Sequence, residues 1–548
     1  MQRGPKTVTL AAAAIGCYAI LAAFWGLGSF PLIDPDEPRY AQSAREMIAR
    51  GDYLVPYLDG QLRLNKPPLF YWLEIGSFKL LGKDREFAAR LPSAVAALAA
   101  GLVAYCFARR LYGQTAAAFV VPLLFSMPLF AGVTHLSTTD ATLTAFLTAA
   151  LYCWWRGREA PAVRKWVLLS WAMLAAAVLT KGPVAIALYV LAVVAFALPR
   201  KEWALLRRSF HILGVAVFLI LVLPWPVAIL LWRPETASLW YRETVLRFVS
   251  GVDHGGNPFA PLSVVVAGTL PWILAVGLPA GAGIRGKIVS LVAGEKGFFL
   301  FTWAATTVVF FAVCRTNLAN YVLPAVPAVA IAAAGSLGRL WDDPKGPAAP
   351  LVSVAIGAGV LVVGGVGYAV HTGRISAGEI ALIGTLSSLG TVIAAVLLAK
   401  GRLRVAALFL VAVVASGTAL GTVFTMREVS ARRSLEPLAR AWRLDLKPAE
   451  ELYFLGEITS NASLVYYTRR PYQAVKTRAQ HRAALAGVQR IAIVQRAGFY
   501  EASIDRGEYS ERHFLAGRCR IGQEEFVLVT NFPTGSSRPI LGTGAMGP

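Results

Sequence analysis

The chain has 548 residues, of which 56% are hydrophobic and 15% charged, and its formal net charge at pH 7 is +22. A soluble protein of this size would carry more charge, since about a quarter of the residues of a globular domain are ionisable. Lys and Arg stand between apolar blocks, so membrane topology explains the positive charge better than nucleic-acid binding, and no nucleic-acid partner is expected. The five cysteines show no pairing or metal-binding spacing.

The apolar residues form blocks of about 18 to 24 residues, long enough for a helix to cross a hydrocarbon core of about 30 Å. One block alone could be a buried helix of a soluble core, but a dozen in series indicate a polytopic α-helical membrane protein. The first block is long for a signal peptide, so we expect it to stay as a membrane helix. The thirteen predicted spans are 8–27, 88–107, 114–132, 137–155, 166–180, 182–199, 210–231, 261–281, 297–314, 320–338, 350–370, 377–399 and 403–424.

The connecting loops predict the orientation. Basic residues concentrate in every second loop, and such loops stay on the cytoplasmic side. An odd number of spans then places the N-terminus in the cytoplasm and the C-terminus on the outer side. Two outer loops are long, 28–87 and 232–261. The first contains two amphipathic segments, Pro38–Arg50 and Pro67–Leu81, typical of helices that lie in the membrane interface.

The composition changes after Thr425, where charged residues become frequent and apolar runs shorten. Residues 1–424 are therefore predicted to form the transmembrane domain and 425–548 a small soluble α/β domain on the outer side. No sequence feature assigns an oligomeric state. The predicted strands are Leu452–Leu455, Ser463–Tyr467, Arg490–Val494 and Phe526–Val529, and the predicted helices are Leu435–Trp442 and Arg478–Ala486.

The densest polar cluster runs from Asp34 to Tyr40, directly after the first apolar block. Three carboxylates, Asp34, Asp36 and Glu37, together with Arg39, are costly at membrane depth unless they are paired or used. Asp36 or Glu37 could instead cap the next helix, whose N-terminus favours negative charge. A cap accounts for one acid and not for three, so we interpret the cluster as functional.

Cations mark two further helix junctions. Lys66 precedes the second amphipathic segment, where free backbone N–H groups and a cation would bind an anion such as phosphate. A lysine that packs its stem and keeps its amine in water is the alternative. Lys181 lies between two apolar blocks with almost no loop, on the side where the charge rule disfavours cations, and this exception favours a function.

Polar residues also stand at two other outer junctions. Asn317, Asn320 and Tyr321 precede a proline-containing helix, where simple capping by an asparagine is equally compatible. Asp140 begins a predicted span and is either a cap or a second acid of the same site. The outer residues Arg242 and Arg247 are weaker candidates, and Asp253-His254 lacks the spacing of a metal site.

The polar residues that interrupt the apolar pattern all fall on one predicted side of the membrane, as an enzyme with lipid-linked phosphate substrates requires. A carboxylate can act as a general base or hold the reacting group, and cations can neutralise a leaving phosphate. The sequence contains no Walker loop and no dinucleotide fingerprint, which argues against nucleotide substrates. No cofactor and no metal ion is expected.

The motifs Asp34–Tyr40, Lys66-Pro67-Pro68, Thr180-Lys181-Gly182 and Asn320–Pro324 resemble those of polyprenyl-phosphate-dependent glycosyltransferases of the GT-C fold. Within that fold they are most similar to the bacterial lipid A aminoarabinose transferases and less so to protein O-mannosyltransferases. The resemblance spans about residues 8–424.

The resemblance implies a reaction. A 4-amino-4-deoxy-L-arabinose would move from undecaprenyl phosphate to a lipid A phosphate at the periplasmic face, giving resistance to polymyxin and cationic peptides. It also implies roles: Asp36 as the catalytic carboxylate and Asp140 as a second acid. The residues that would hold the donor phosphate are Arg39, Tyr40, Lys66, Lys181 and Tyr321.

The chain departs from the family pattern at two places. Asn65 stands where those enzymes have an acid before the lysine, and the segment 317–321 differs from their Lys-Leu-Pro-Thr-Tyr. Both changes concern the donor site, so another polyprenyl-linked sugar or a protein acceptor remains an alternative. A transporter of a lipid-linked sugar is a third reading, but the sequence lacks the repeats and mid-membrane breaks typical of that class.

Overall fold

The computed structural model of the chain describes residues 5–160, 164–243, 257–276, 294–314, 318–343, 348, 351–361, 377–443, 451–455, 462–469, 472–486, 490–510, 512–521, 524–532 and 538–539. Residue contacts divide the chain into two compact units. The first unit contains Met1–Leu27, Leu64–Leu73 and Arg90–Thr425, and the second contains Gly28–Arg63, Glu74–Ala89 and Met426–Pro548.

The first unit is helical. Each predicted span coincides with described helix over most of its length, except for the parts of 261–281 and 350–370 that lie outside the described residues. The α-helices are Pro5–Phe24, Glu86–Tyr112, Gln114–Phe125, Pro128–Thr134, Thr139–Glu159, Arg164–Lys181, Val184–Ala197, Trp203–Ser209, Ile212–Val222, Pro224–Trp232, Thr236–Tyr241, Ala260–Thr269, Glu295–Val313, Val326–Asp342, Leu351–Leu361, Ala377–Ala399 and Leu403–Arg433. Among the described residues, two 3₁₀ segments, Trp272–Ala275 and Ala319–Ala325, lie between these helices.

Several predicted spans are broken helices. The segment 114–132 bends by 65° between Gln114–Phe125 and Pro128–Thr134, where a proline begins the second piece. Proline lacks the N–H that would continue the helical ladder, so it starts a new helix more readily than it extends an old one. Within the described ranges, five helices are long and apolar enough to cross a membrane, or six if the bent pair is counted as one span.

Small residues let the helices of this unit approach closely. A Cβ atom on Gly338 would lie 2.9 Å from the Cβ of Ala116, so the helix Val326–Asp342 packs directly on Gln114–Phe125. Such contacts are typical of helices in lipid, where packing rather than water exclusion drives association. Aromatic rings fill the wider gaps, as in the stack of Trp154 on Phe299 at 5.4 Å between ring centroids.

The second unit contains a mixed six-stranded sheet. Its strands lie in the order Tyr472–Val475, Glu451–Leu455, Ile491–Arg496, Glu524–Thr530, Phe514–Ile521 and Arg538–Pro539. The first three are parallel and the others pair antiparallel. The helices are Glu436–Arg443, Ala462–Thr468, Arg478–Ala486 and Ala497–Asp505, and the first-loop part adds Asp36–Arg50, the end of Leu69–Leu81 and the short hairpin of Tyr57–Leu58 with Gln61–Leu62.

The α/β character predicted for the C-terminal segment is confirmed, as are three of its four predicted strands and both predicted helices. The prediction of a strand at Ser463–Tyr467 is wrong, because these residues belong to the helix Ala462–Thr468. The carboxylate of Asp34 accepts hydrogen bonds from the backbone N–H of Ser463, at 3.0 Å, and from its hydroxyl. A side-chain oxygen that accepts hydrogen bonds from the first turn stabilises a helix start, and this distant contact acts against the strand propensity of the sequence.

Candidate functional site

Three helix junctions of the first unit meet at a buried carboxylate. Asp140, 3% exposed in its side chain, forms an ion pair with Lys181, which is 8% exposed. The side-chain amide of Asn320 donates to the other carboxylate oxygen at 2.5 Å. Two partners on two different segments therefore hold both oxygens of Asp140.

Local sequence explains how Asp140 reaches this position. Thr138 is the N-cap of the helix Thr139–Glu159, in extended conformation and without a side-chain cap bond, so Asp140 lies in the first turn. The helix dipole favours a carboxylate there. Its side chain bonds Lys181 and Asn320, so it bridges helices, which a simple cap would not do.

Lys181 is placed by the glycine that follows it. It ends the helix Arg164–Lys181, and Gly182 has φ of +96°, a conformation that side chains with a Cβ rarely adopt. The N–H of Gly182 donates to the carbonyl of Val178 at 2.7 Å and closes the helix end. The next helix begins at Val184, which leaves Lys181 fixed at a sharp reversal of the chain.

An aromatic ring completes the environment of Lys181. Its ammonium lies 4.0 Å from the ring centroid of Tyr321, and that ring packs on Phe311 at 5.4 Å between centroids. A cation over an aromatic face gains about 2 kcal/mol when it is desolvated. A buried ion pair costs more to desolvate than an exposed one, and the added ring and the amide of Asn320 offset part of that cost.

Lys181 and Tyr321 line a cavity of about 200 Å³ in the first unit. Apolar and aromatic side chains form most of its wall, and the polar groups gather at Asn65, Lys66, Lys181, Glu243 and Tyr321. The other lining residues are Pro67, Val178, Leu179, Gly182, Pro183, Val184, Val222, Trp225, Pro226, Trp240 and Phe311. Two amines in an apolar cavity suit a ligand with a phosphate and a hydrocarbon tail.

Trp240 attaches the Lys66 segment to the second long loop. Its indole N–H donates to the carbonyl of Leu64 at 2.6 Å, and its ring packs on Trp225 at 5.5 Å between centroids. The cavity therefore joins Lys66, predicted from its helix start, with Glu243, which the sequence did not single out. Trp240 lies in the short helix Thr236–Tyr241 and Glu243 follows it. Their position depends on contacts with distant segments, which no local sequence pattern shows.

The acids of the Asp34–Tyr40 cluster belong to the second unit and have different surroundings. Asp34 is 6% exposed and bonded to Ser463, and Glu37 is 1% exposed and accepts from the backbone N–H of Ile33 at 2.8 Å. Both carboxylates therefore have structural contacts. Asp36 differs, because its side chain is 45% exposed and its ion pair is with the neighbouring Arg39 at 3.2 Å.

Burial shifts the ionisation of this cluster. It raises the pKa of Asp34 to about 7, although the hydrogen bonds from Ser463 and the charge of Arg39 act in the opposite direction. Burial also lowers the pKa of Arg39, and the carboxylate of Asp36 opposes that change. Tyr40 is buried, and the guanidinium of Arg63 lies 5.7 Å from its ring centroid.

The predicted residues thus fall into two groups. Asp140, Lys181, Asn320, Tyr321 and Lys66 lie in the first unit around one ion pair and one cavity. The other group, Asp36, Glu37, Arg39 and Tyr40, lies in the second unit. Arg242 is exposed, and Arg247, Asn317, Asp253 and His254 lie outside the described residues.

Comparison with known families gives a match over residues 65–228 to the family described as dolichyl-phosphate-mannose-protein mannosyltransferase. Curated relatives include the undecaprenyl phosphate-alpha-4-amino-4-deoxy-L-arabinose arabinosyl transferases of Edwardsiella ictaluri and Aeromonas salmonicida. The first is 32% identical over 57% of this chain and 56% of the relative, and the second is 31% identical over 61% of each. The chain thus spans about three-fifths of the length of these relatives.

Solved structures extend the likeness to nearly the whole chain. The crystal structure of ArnT from Cupriavidus metallidurans bound to undecaprenyl phosphate is 26% identical, with a TM-score of 0.78 over 95% of this chain and 98% of that one. An oligosaccharyltransferase from Archaeoglobus fulgidus, 12% identical, has a TM-score of 0.50 over 90% of this chain and 70% of its own and shares the fold alone.

These comparisons confirm the resemblance to polyprenyl-phosphate-dependent glycosyltransferases that the motifs indicated. They also confirm the GT-C fold and a multi-pass membrane protein. The family match begins at Asn65 and ends at Ala228, so it includes Lys66, Asp140 and Lys181.

Proposed function

We propose that this chain is a membrane glycosyltransferase that moves 4-amino-4-deoxy-L-arabinose from undecaprenyl phosphate to a phosphate of lipid A. The names of the curated relatives and the undecaprenyl phosphate bound to the similar crystal structure support the donor. The acceptor follows from the family resemblance alone.

The cavity with Lys66 and Lys181 is the observation that carries the proposal. A polyprenyl-phosphate donor needs cations at one point and an apolar surface beside it. Two lysine amines supply the charge, and tryptophan, leucine, valine and proline side chains form the rest of the wall. The pairing of Lys181 with Asp140 fixes the ammonium before the ligand arrives, which lowers the cost of binding.

The reaction breaks the bond between the anomeric carbon of the sugar and the phosphate oxygen of the donor. An oxygen of the acceptor phosphate forms the new bond to that carbon, and undecaprenyl phosphate leaves with the electron pair. Negative charge therefore grows on the leaving phosphate, where Lys66 and Lys181 stabilise it more in the transition state than in the ground state. The further residues that we propose to bind the donor are Arg39, Tyr40, Arg242, Arg247, Asn317, Asn320 and Tyr321.

Asp36 is proposed as the catalytic carboxylate. Its neighbours Asp34 and Glu37 are buried and hydrogen-bonded, whereas Asp36 is half-exposed. A phosphate acceptor is already a nucleophile and needs little base, so Asp36 would orient the acceptor or bind an amine. Asp140 would act as a second acid by holding Lys181.

The carboxylate of Glu243 in the cavity favours an amino sugar. An ammonium group on the donor would meet an anion in the same cavity that offers two amines to the phosphate. This arrangement compensates for Asn65, the neutral residue where the related enzymes have an acid.

We further propose thirteen spans in the bacterial inner membrane, with the N-terminus cytoplasmic and residues 425–548 in the periplasm. Transfer would then occur at the periplasmic face. Masking a lipid A phosphate with an aminated sugar lowers the negative surface charge, and the expected result is resistance to polymyxin and cationic peptides.

The test is a transfer assay with purified protein, undecaprenyl-phosphate aminoarabinose and lipid A, followed by mass spectrometry of the lipids. We expect a product heavier by one sugar, and loss of this product in Asp36→Asn and Lys181→Gln variants that elute as folded protein. Absence of transfer, with transfer from another polyprenyl-linked sugar, would overturn the sugar assignment. Full activity of Asp36→Asn would remove Asp36 from the site.

A related transferase with a protein acceptor is the second candidate, because the family match is to protein mannosyltransferases. The same assay with a mannosyl donor and a hydroxyl-bearing peptide separates the two. Movement of intact donor lipid between vesicle leaflets without sugar transfer would instead support a transporter.

A further inference from the structure

A second cavity, of about 350 Å³, opens in the first unit away from the proposed donor site. The helix Arg164–Lys181 lines both cavities, the first with Val178, Leu179 and Lys181 and the second with Val167, Ser170 and Trp171. Fourteen residues separate Val167 from Lys181, which is about 21 Å of helix. In the topology predicted from the sequence, where this helix spans the membrane, two cavities this far apart lie toward opposite leaflets.

Hydrogen bonds among its own side chains shape the inner wall of this cavity. The indole of Trp154 donates to the hydroxyl of Ser209 at 2.7 Å, and that of Trp171 donates to the carbonyl of Ser209 at 2.9 Å. The hydroxyls of Ser170 and Tyr189 lie 2.8 Å apart, within hydrogen-bond distance. These contacts lock the rings in place, so the cavity is formed before any ligand enters.

Some of the arginines at this cavity have a carboxylate partner and one has none among the described residues. Glu202 bonds two guanidinium groups, those of Arg158 at 3.3 Å and Arg200 at 3.0 Å, and Arg158 also pairs with Glu295. Arg208 lines the same cavity and is exposed, and the described residues provide no ion-pair or side-chain hydrogen-bond partner for its guanidinium. The unmatched cation predicts an anionic ligand, since a guanidinium binds phosphate oxygens with two parallel bonds.

Exposed apolar side chains flank this cation. Trp203 is 56% exposed, Phe210 41% and Ile212 77%. Tryptophan beside basic residues is typical of the headgroup level of a membrane, where the ring meets acyl chains and the charge meets phosphate. A free phosphate would use the arginine but not this apolar surface.

We infer that the second cavity binds the phosphate headgroup of an anionic phospholipid from the leaflet opposite the donor site. Arg208 would bind the phosphate, the walls around Trp154 and Trp171 would accept the headgroup, and the acyl chains would lie along Trp203 and Phe210. This lipid is distinct from the glycosyl donor, so the inference does not depend on the proposed reaction.

The test compares two adjacent arginines. Arg207 is exposed like Arg208 but does not line the cavity. Full-length protein in nanodiscs of phosphatidylcholine with increasing phosphatidylglycerol is analysed by native mass spectrometry for retained lipid and by thermal unfolding. We expect R208Q to bind phosphatidylglycerol about tenfold more weakly, the loss of roughly one charge-assisted hydrogen bond, and R207Q to bind like the wild type.

A second variant tests the cavity without removing charge. Ala204 lies at its exposed rim, and A204W would fill the space while leaving Arg208 in place. Weakened lipid retention in both R208Q and A204W supports the inference. Equal effects of R207Q and R208Q, or none in either, would overturn it. Inorganic phosphate that displaces the lipid at equal concentration would also overturn it, because the apolar surface would then contribute nothing.

Discussion

At the scale of single residues, Asp140 has the most definite environment of the predicted site residues. The sequence showed a carboxylate at the start of an apolar helix and left open whether it was a cap. Its partners, Lys181 and Asn320, are 41 and 180 positions away in the chain. No local sequence pattern shows contacts at such separations. Asp140 could therefore be predicted as a candidate site residue, but its ion pair with Lys181 could not be predicted.

The ion pair gives a stability prediction. Asp140→Asn leaves the buried ammonium of Lys181 without its anion, and Lys181→Gln leaves the buried carboxylate of Asp140 without its cation. Each variant should therefore lower the free energy of unfolding by about 3–5 kcal/mol. The double variant should lose less than the sum of the two. Denaturant unfolding in detergent measures this. The half-exposed pair of Glu428 and Arg432 is the control, and its removal should cost about 0.5 kcal/mol or less. Additive losses at Asp140 and Lys181 would contradict the prediction.

Glu243 gives a prediction about specificity. Glu243→Gln should raise KM for an aminoarabinose donor about tenfold, the worth of roughly one charge-assisted contact, and should leave KM for a donor without the amine unchanged. Steady-state kinetics with both donors measures the difference. The exposed neighbour Arg242 provides the comparison variant Arg242→Gln, which should not discriminate between the donors in this way. A similar rise for both donors would show that Glu243 does not recognise the amine.

At the scale of elements, most helices could be predicted from apolar blocks, and their breaks follow from proline. The helix Ala462–Thr468 could not, because its sequence Ala-Ser-Leu-Val-Tyr-Tyr-Thr favours a strand. Its helical form depends on the Asp34 carboxylate at its N-terminus, a partner from the other end of the chain. Local propensity does not predict secondary structure that depends on such a distant contact.

The reversal at Gly182 gives a prediction for one helix end. Gly182→Ala should lower the free energy of unfolding by about 1–2 kcal/mol, because alanine resists a φ of +96°. No atom would lie within 4 Å of the new Cβ, so the cost is conformational rather than steric. Gly16→Ala is the control. It lies inside the helix Pro5–Phe24 with equally open space, and alanine there should stabilise. Equal effects of the two variants on thermal unfolding would contradict this account.

Asp34 couples the second unit to pH. Because burial raises the pKa of Asp34 from its ordinary value of about 4 to about 7, the folded state favours the protonated acid. Its contribution to stability is therefore complete below about pH 4 and is lost as the pH rises through about 7. Unfolding midpoints measured between pH 5 and 8 should fall with pH in the wild type and stay flatter in Asp34→Asn. Ser463→Ala removes a hydrogen-bond donor to the carboxylate. It should lower the unfolding midpoints and move their pH-dependent decrease to higher pH. A wild-type slope that persists in Asp34→Asn would assign it to another group.

At the scale of the whole molecule, charge bias and the count of apolar blocks predict a topology. Reporter fusions at the two ends should show the N-terminus in the cytoplasm and the C-terminus in the periplasm. A phosphatase active only in the periplasm, fused after residue 540, should be active, and the same enzyme fused before residue 5 should not. Activity at both ends would require an even number of spans. A fusion within the basic loop at residues 200–208 is the internal control and should be inactive.

The sequence did not predict which segments of the chain form the second unit. The first long loop was predicted to contain two amphipathic helices, and the structure has helices there. The C-terminal segment was predicted as a separate α/β domain, and one of its predicted strands is a helix. Nothing in either stretch shows that Gly28–Arg63 and Glu74–Ala89 share a compact unit with Met426–Pro548. Pairing between distant segments requires side-chain complementarity, which is visible only once both are folded.

The bond between Asp34 and Ser463 also sets an order of events during synthesis. Its two residues are 429 positions apart, and at roughly 5–20 residues per second the ribosome needs about 20–90 s to supply the partner of Asp34. During that interval the first loop must wait while the helices of the first unit are made. A nascent chain that stops before residue 463 therefore carries a first loop in which Asp34 lacks this partner. Its exposed apolar residues would give quality-control proteases a means of recognising incomplete copies.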